Sequence, residues 1–230
     1  MSAEALLRWH HPTLGSISPA EFIPLVEQTA LARPITEWVL ETALGQAAAW
    51  KSEGLELGIS INVFAANLEE EDFTWRLREA LDRHGLSSRT LELEFTEGAL
   101  IRHRARVLEQ LIDIRAVGVT CAIDDFGTGY SSFAYLQNIP ADVIKIDRSF
   151  MGGLERERDR TLVRAMITMS HELNYRVMAE GVETQEAFEF LAQSGCDEIQ
   201  GYLISRPLSP SGFGKWLSAK GRFGGAERAA

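Results

Sequence analysis

Little in this chain points to an oxidising or membrane setting. Its 230 residues include two cysteines, Cys121 in an apolar strand pattern and Cys196 just after a glycine. Neither sits in a Cys-x-x-Cys or Cys/His spacing, which argues against a disulfide framework and a zinc cluster and favours a reducing compartment. The five histidines (His10, His11, His84, His103, His171) show no metal spacing either and read as surface or helix residues. No apolar run approaches the ~20 residues that span a bilayer. Met1-Ser2-Ala3-Glu4 opens no basic-then-apolar leader, so a cytoplasmic location is the expectation. Positive charge is also scarce: 23 Lys and Arg stand against 33 Asp and Glu, a net charge of −10. Such a surface does not suit duplex nucleic acid. A small anionic ligand stays open, because bound divalent cations reverse the local field.

What is present is an ordinary globular composition, 45% apolar and 24% charged, on a length that α/β barrels reach as one domain. Short β-branched runs alternate with helical patterns. Strands are predicted at 58–63, 90–95, 119–124, 143–147, 176–180 and 198–203, with a further one at 3–9. Helices are predicted at 36–51, 70–84, 105–117, 159–173 and 185–194, the first with Trp38, Val39, Leu40, Ala43, Leu44, Ala47 and Ala48 on one apolar face. The five tryptophans read mostly as core or helix packing. Gly54, Gly85, Gly118 and Gly195 follow helices, where left-handed caps are expected. Regular strand–helix alternation implies a parallel sheet with crossover helices, and the strand count approaches that of a (β/α)8 barrel.

The strand endings carry the chemistry. Side chains alternate along a strand, so Leu91, Leu93 and Phe95 share one face while Glu92, Glu94 and Thr96 share the other. Ser60 and Asn62, and Lys145 and Asp147, fall on polar faces in the same way. The outer face of a barrel packs under helices, so these polar faces point inward, where carboxylates are costly unless paired or bound to metal. Asn62, Glu94, Asp124, Lys145, Glu180 and Gln200 cluster at C-terminal strand ends, where barrel active sites lie. Their oxygens suit Mg2+ or Mn2+ better than Zn2+. The adjacent Asp124-Asp125 suits a pair of ions about 3.5–4 Å apart, the arrangement of two-metal phosphodiester hydrolysis. Lys145 could orient water or neutralise phosphate charge. The segment 126–132, Phe-Gly-Thr-Gly-Tyr-Ser-Ser, lacks the Gly-Lys-Ser/Thr ending of a nucleotide P-loop and reads as a loop following the acidic pair. Taken singly, each feature has a plain structural reading: Asp-Asp as a turn, Glu94 as half of an ion pair, Lys145 as the counter-ion of Asp147. Their conjunction is what points to a site.

These residues stand in an ordered set of motifs. They are Glu4-Ala5-Leu6 with Leu7-Arg8-Trp9, Glu94-Phe95-Thr96-Glu97, Asp124-Asp125-Phe126-Gly127-Thr128-Gly129, Lys145-Ile146-Asp147, Ala179-Glu180-Gly181-Val182-Glu183-Thr184 and Gln200-Gly201-Tyr202. On them the chain resembles the EAL-domain cyclic di-GMP phosphodiesterases from Glu4 to about Pro207. The resemblance implies an α/β fold, a modified TIM (β/α)8 barrel, here expected to lack its first N-terminal strand. It implies an EAL-type domain over 1–220, with 221–230 expected as a disordered tail, inside a larger multidomain signalling protein.

The resemblance also assigns roles. Glu4, Asn62, Glu94 and Asp124 hold one ion, and Asp124 with Asp125 holds the second. Glu180 lies near the second ion, Lys145 contacts the attacking water and Gln200 lies close to it. Arg8 contacts the substrate phosphate, with Leu6 and Asp147 as further substrate contacts. Glu97 holds the loop after Asp125, and Glu183 is a supporting acid. The implied reaction opens cyclic di-GMP to linear pGpG with Mg2+ or Mn2+ and is inhibited by Ca2+. A homodimer formed near the Asp125 loop and Ser149-Phe150 is implied as well. Two departures are visible: Phe64 where the family has Ser, and Asn67 where it has Gln nearby. Two other readings stay open, a catalytically silent cyclic di-GMP receptor or interaction module, and an unrelated metal-dependent barrel enzyme acting on small oxo-acids.

Overall fold

The computed structural model describes residues 1–100, 104–129 and 136–220. Seven parallel strands form one curled sheet: β1 (Ser2–Ala5), β4 (Gly58–Asn62), β5 (Leu91–Thr96), β6 (Thr120–Phe126), β7 (Val143–Ile146), β8 (Arg176–Ala179) and β9 (Glu198–Ile199). They pair in that order, so each strand after β1 adds to the same growing edge. Helices cross between them: α2 (Ala32–Ser52), α3 (Ala65–Leu68), α4 (Phe73–His84), α5 (Arg104–Val117), α6 (Glu157–Glu172) and α7 (Gln185–Gln193). This is the expected α/β architecture, an incomplete TIM-type barrel.

Alternation along the strands explains the layers. Ile59, Ile61, Leu91, Leu93, Phe95, Ile123, Ile144, Ile146 and Val177 are buried in one continuous core with the helices. Each such side chain contributes roughly 1.5–3 kcal/mol by leaving water. The opposite, concave face holds a separate small apolar cluster, Ala122, Val143 and Met178. Ala122 and Val143 are register partners, while Met178 is stepped one pair along, opposite Lys145, and Val143 itself faces Arg176. The three form a floor across the barrel interior, with charged side chains above and below it.

The predicted strands and helices are found within a few residues of the expected bounds, and the four capping glycines all take positive φ. Four expectations need correction. The strand foreseen at 3–9 ends at Ala5, and Trp9 instead enters an antiparallel hairpin, β2 (Trp9–His11) with β3 (Gly15–Ile17). The strand foreseen at 198–203 stops at Ile199, because the chain turns at Gly201. Three helices went unforeseen, α1 (Pro19–Glu27), the one-turn α3 and α8 (Pro210–Lys220). Trp38 and Trp75 are 59% and 62% exposed rather than packed. Thr36, Leu40, Ala43, Leu44 and Ala47 define the buried stripe of α2, and Trp38 lies two residues, about 200°, away from Thr36. Trp9 is also largely exposed, while Trp50 is buried.

Candidate active site at the strand C-termini

The upper half of the barrel interior is a cluster of carboxylates around one ammonium. Lys145 is fully buried on β7, with Nζ 2.7 Å from Glu94 Oε2, 2.6 Å from Glu180 Oε1 and 3.6 Å from Asp124 Oδ1. Both close approaches are poorly directed for hydrogen bonds, so their strength is chiefly that of ion pairs. Burial alone would lower the Lys145 pKa. Glu94, Glu4, Asp124 and Glu180 outweigh it and hold that pKa well above the usual lysine range. Lys145 is therefore a fixed cation and a donor, not a base, at neutral pH.

The carboxylates are strained in the opposite sense. Burial pushes Glu94 up to about 8, with Glu4 and Asp124 adding to the rise and Lys145 opposing it. Burial likewise raises Glu180 to about 7 against the pull of Lys145. One ammonium does not neutralise so many carboxylates gathered at one rim.

The two edges of the sheet meet at this rim. Glu4 on β1 accepts from Asn62 Nδ2 at 2.9 Å through Oε1 and from Gln200 Nε2 at 2.6 Å through Oε2. Gln200 follows β9, the far edge of the sheet. A side-chain hydrogen bond thus closes the barrel mouth where no strand ladder does among the described residues.

Asp125 departs from regular strand geometry. The β6–β7 register shifts between Ile123 and Phe126, and Asp125 takes φ 54. A non-glycine residue in that region costs on the order of 1–3 kcal/mol and marks functional sites. The bulge lets two consecutive carboxylates serve the rim: Asp125 N donates to Asp124 Oδ1 at 2.9 Å. Burial first, then Asp124 and Asp147, raise the Asp125 pKa, while Lys145 and Arg148 oppose the rise.

Glu97 is buried, and neither carboxylate oxygen has a hydrogen-bond partner among the described residues. A Cβ at Gly129 would lie 2.6 Å from Glu97 Oε1, so a larger residue there would have to push this carboxylate aside. The rest of that motif, Tyr130, Ser131 and Ser132, lies outside the described residues, as do His103 and the tail 221–230.

The remaining predicted residues are more peripheral. Leu6 and Arg8 are exposed just past β1, with Arg8 Nη1 donating to Leu7 O at 3.0 Å. Asp147 follows β7, and its Oδ1 accepts from Ser149 N at 3.0 Å. Glu183 is exposed in the loop after β8. Of the two departures, Asn67 is fully buried and structural. Its Oδ1 accepts from Thr36 Oγ1 at 2.8 Å and from Phe64 N at 3.1 Å, tying α3 to α2. Sequence reasoning missed Arg148, whose charge bears on Asp125; its place directly after Lys145-Ile146-Asp147 was the available signal.

Glu92 shares the inward face with Glu94 one step toward the N-terminal end of β5, opposite Thr120. There it pairs with Arg176 at 4.0 Å, and Arg176 also pairs with Glu198.

The upper donor set fits hard divalent cations in its chemistry, being oxygen-only and overloaded with negative charge. As the side chains stand, no group of three His, Cys, Asp or Glu residues among those described converges on one ion position. The carboxylates are drawn instead onto Lys145, and Glu4 onto two amides.

The description "EAL domain" fits residues 1–207. The chain belongs to the EAL domain family. Among curated relatives, a cyclic di-GMP phosphodiesterase of Pseudomonas aeruginosa is 44% identical over 215 residues, covering 93% of this chain and 37% of the relative. The cyclic di-GMP phosphodiesterase NbdA of the same organism is 40% identical, covering 94% of this chain and 28% of the relative. The chain thus spans about a third of the length of these EAL relatives. The solved PaMucR phosphodiesterase in its c-di-GMP complex superposes with a TM-score of 0.84 at 42% identity, covering 90% of this chain and 85% of that one. No helix among the described residues is long and apolar enough to cross a membrane.

Proposed function

We propose that this EAL domain, residues 1–220, hydrolyses cyclic di-GMP to linear pGpG. The observation that carries the reading is the rim cluster: Glu4, Asn62, Glu94, Asp124, Asp125 and Glu180 gathered around buried Lys145, with more negative charge than one lysine balances. Names of relatives at 40–44% identity support it. Glu4, Asn62, Glu94 and Asp124 would hold one Mg2+ or Mn2+, and Asp124 with Asp125 a second. Bound there, such ions supply Lewis acidity toward a phosphodiester and lower the pKa of a water.

The chain's own residues supply the rest. Lys145 stays protonated and donates toward the attacking water while it holds Glu94 and Glu180 in place. The amide of Gln200 fixes Glu4 and borders the same space. Glu180, titrating near neutrality, is suited to accept a proton. Arg8, with Leu6 and Asp147, would orient the substrate phosphate. Glu97 supports the loop after Asp125, and Glu183 is a supporting acid of the β8 loop. Ca2+ is expected to inhibit, since it takes longer and looser bonds than Mg2+. The domain would act in the cytoplasm as a homodimer formed near the Asp125 loop and Phe150, as part of a larger signalling protein.

Tying Glu4 to two amides favours a second reading, a receptor that binds cyclic di-GMP without turnover. Incubation with cyclic di-GMP and Mn2+, with and without Ca2+, followed by mass analysis, separates the two. Release of pGpG that Ca2+ suppresses supports the hydrolase. Binding with no product supports the receptor.

A further inference from the structure

Just beyond Gln200 an exposed aromatic ring is stacked under a guanidinium. Arg206 Cζ lies 4.4 Å from the centroid of the Tyr202 ring, and Tyr202 itself is 50% exposed. The position of this pair is fixed by the turn that carries it. A Cβ at Gly201 would fall 2.1 Å from Val182 O, so the glycine is wedged against the backbone of the loop after β8. Val182 N donates to Gln200 O at 2.9 Å, and Leu203 N donates to Val182 O at 3.0 Å. Two residues span at most about 7 Å, so Tyr202 stands within that distance of Gln200, whose amide touches Glu4. The ions and Arg8 proposed for the rim act on the phosphodiester and do not distinguish a nucleotide from any other diester, so recognition of a base must come from contacts beside them. A ring and a guanidinium stacked at the edge of the mouth offer both a π-face and a positive charge.

We infer that Tyr202 and Arg206 form a platform at the mouth of the site that stacks a purine base of the substrate, fixing specificity for a nucleotide over a simple phosphodiester. The inference rests on the proposed action on cyclic di-GMP and adds the element that recognises its base. Tyr202 and Arg206 are positioning residues in it, apart from the catalytic cluster.

The test compares wild type, Tyr202→Ala, Tyr202→Phe and Arg206→Ala on two substrates in Mn2+: cyclic di-GMP and the base-free diester bis(p-nitrophenyl) phosphate. Direct binding of cyclic di-GMP in Ca2+ is measured alongside by calorimetry. Loss of one base–aromatic stack weakens binding on the order of ten- to a hundredfold. Tyr202→Ala should therefore raise KM and Kd for cyclic di-GMP by about that factor, with kcat and the base-free activity near wild type. Tyr202→Phe should retain wild-type affinity, and Arg206→Ala should fall between. Unchanged cyclic di-GMP affinity in Tyr202→Ala overturns the platform, as does an equal loss on the base-free diester, which would mean a general disturbance of the rim. If the wild type itself neither binds nor cleaves cyclic di-GMP, the proposed function fails first. If the wild type acts and the variants match it, only the platform fails.

Discussion

The barrel interior holds charged clusters above and below its apolar floor, and the two are built differently. Below Ala122, Val143 and Met178, Arg176 stands between Glu92 and Glu198, two acids to one base, with the arginine 51% exposed. Above them, Lys145 is wholly buried and shared by Glu94, Glu180 and Asp124, with Glu4 and Asp125 close by. Water reaches Arg176 and Glu198 and can screen the lower set. At the centre of the upper set Lys145 and Glu94 are cut off from water, and burial raises the Glu94 and Glu180 pKa values toward neutrality. Charge that is merely structural tends to be balanced or solvated. A buried surplus of hard oxygen donors calls for cations from solution, and that difference is what supports placing the proposed site at this end of the barrel.

The sharpest way to break this comparison is to remove one upper carboxylate. Asp124→Asn keeps the shape but removes a donor that the proposal assigns to both ions. Hydrolysis of cyclic di-GMP should fall by at least about a hundredfold. The melting temperature without divalent ions should hold or rise, because one repelling charge is gone. Turnover near wild type would show that the upper cluster is not the metal site.

Next in size is Lys145→Met. Breaking a buried ion pair by removing one partner costs on the order of 3–5 kcal/mol, and here several acids lose the buried cation they share. Urea unfolding without added metal should show a loss of that order. Mn2+ should restore part of it if ions enter the same cluster. A loss of less than about 1 kcal/mol, the range of exposed pairs, would mean that the upper charges are screened like the lower ones.

Titration sharpens the contrast further. Glu94 moves from 4.5 unfolded to about 8 folded, and Glu180 to about 7. The folded state therefore binds more protons than the unfolded state between those values, so stability falls as pH rises through that window. Metal-free protein should melt progressively lower from pH 5 to pH 8. Divalent ions compete with those protons, so Mg2+ or Mn2+ should raise the melting temperature most at pH 8. At a hundredfold excess over Kd the gain is about 2.7 kcal/mol. A metal-free melting temperature that rises steadily over this range would contradict the placement of Glu94.

Much of this was legible in the sequence, for identifiable reasons. Strand alternation placed Glu94, Lys145 and Asn62 on inward faces, because side-chain period in a strand is fixed by geometry, and Asp124 was legible from its place at a strand's C-terminal end. The glycine caps followed from the φ each helix end requires. What escaped were features set by contacts between distant segments. Nothing local to Glu92 distinguishes it from Glu94; only the register, which sets Glu94 beside Ala122 and Glu92 beside Thr120, separates their surroundings. Trp38 looks like a core residue by type, and the stripe through Thr36, Leu40 and Leu44 leaves it outside. The Glu4–Gln200 bond joins residues 196 apart, and the left-handed Asp125 reflects a register shift that a single strand does not announce.

The smallest expected effect lies at the lower end. Arg176 is half exposed and pairs with Glu198 directly and with Glu92 only at 4.0 Å. Exposed pairs are worth about 0–1 kcal/mol, so Arg176→Gln should cost no more than that in urea unfolding. It should also leave cyclic di-GMP turnover unchanged, since Ala122, Val143 and Met178 separate it from the rim. One shift should remain visible: burial raises the Glu92 pKa, Lys145 from the upper cluster opposes the rise most and Arg176 less, so the variant should push it somewhat higher. NMR titration of the Glu92 carboxyl would read that shift directly. A turnover loss comparable to that of Asp124→Asn would mean the floor does not insulate the two ends, and the division of the interior into a balanced half and a cation-seeking half would have to be given up.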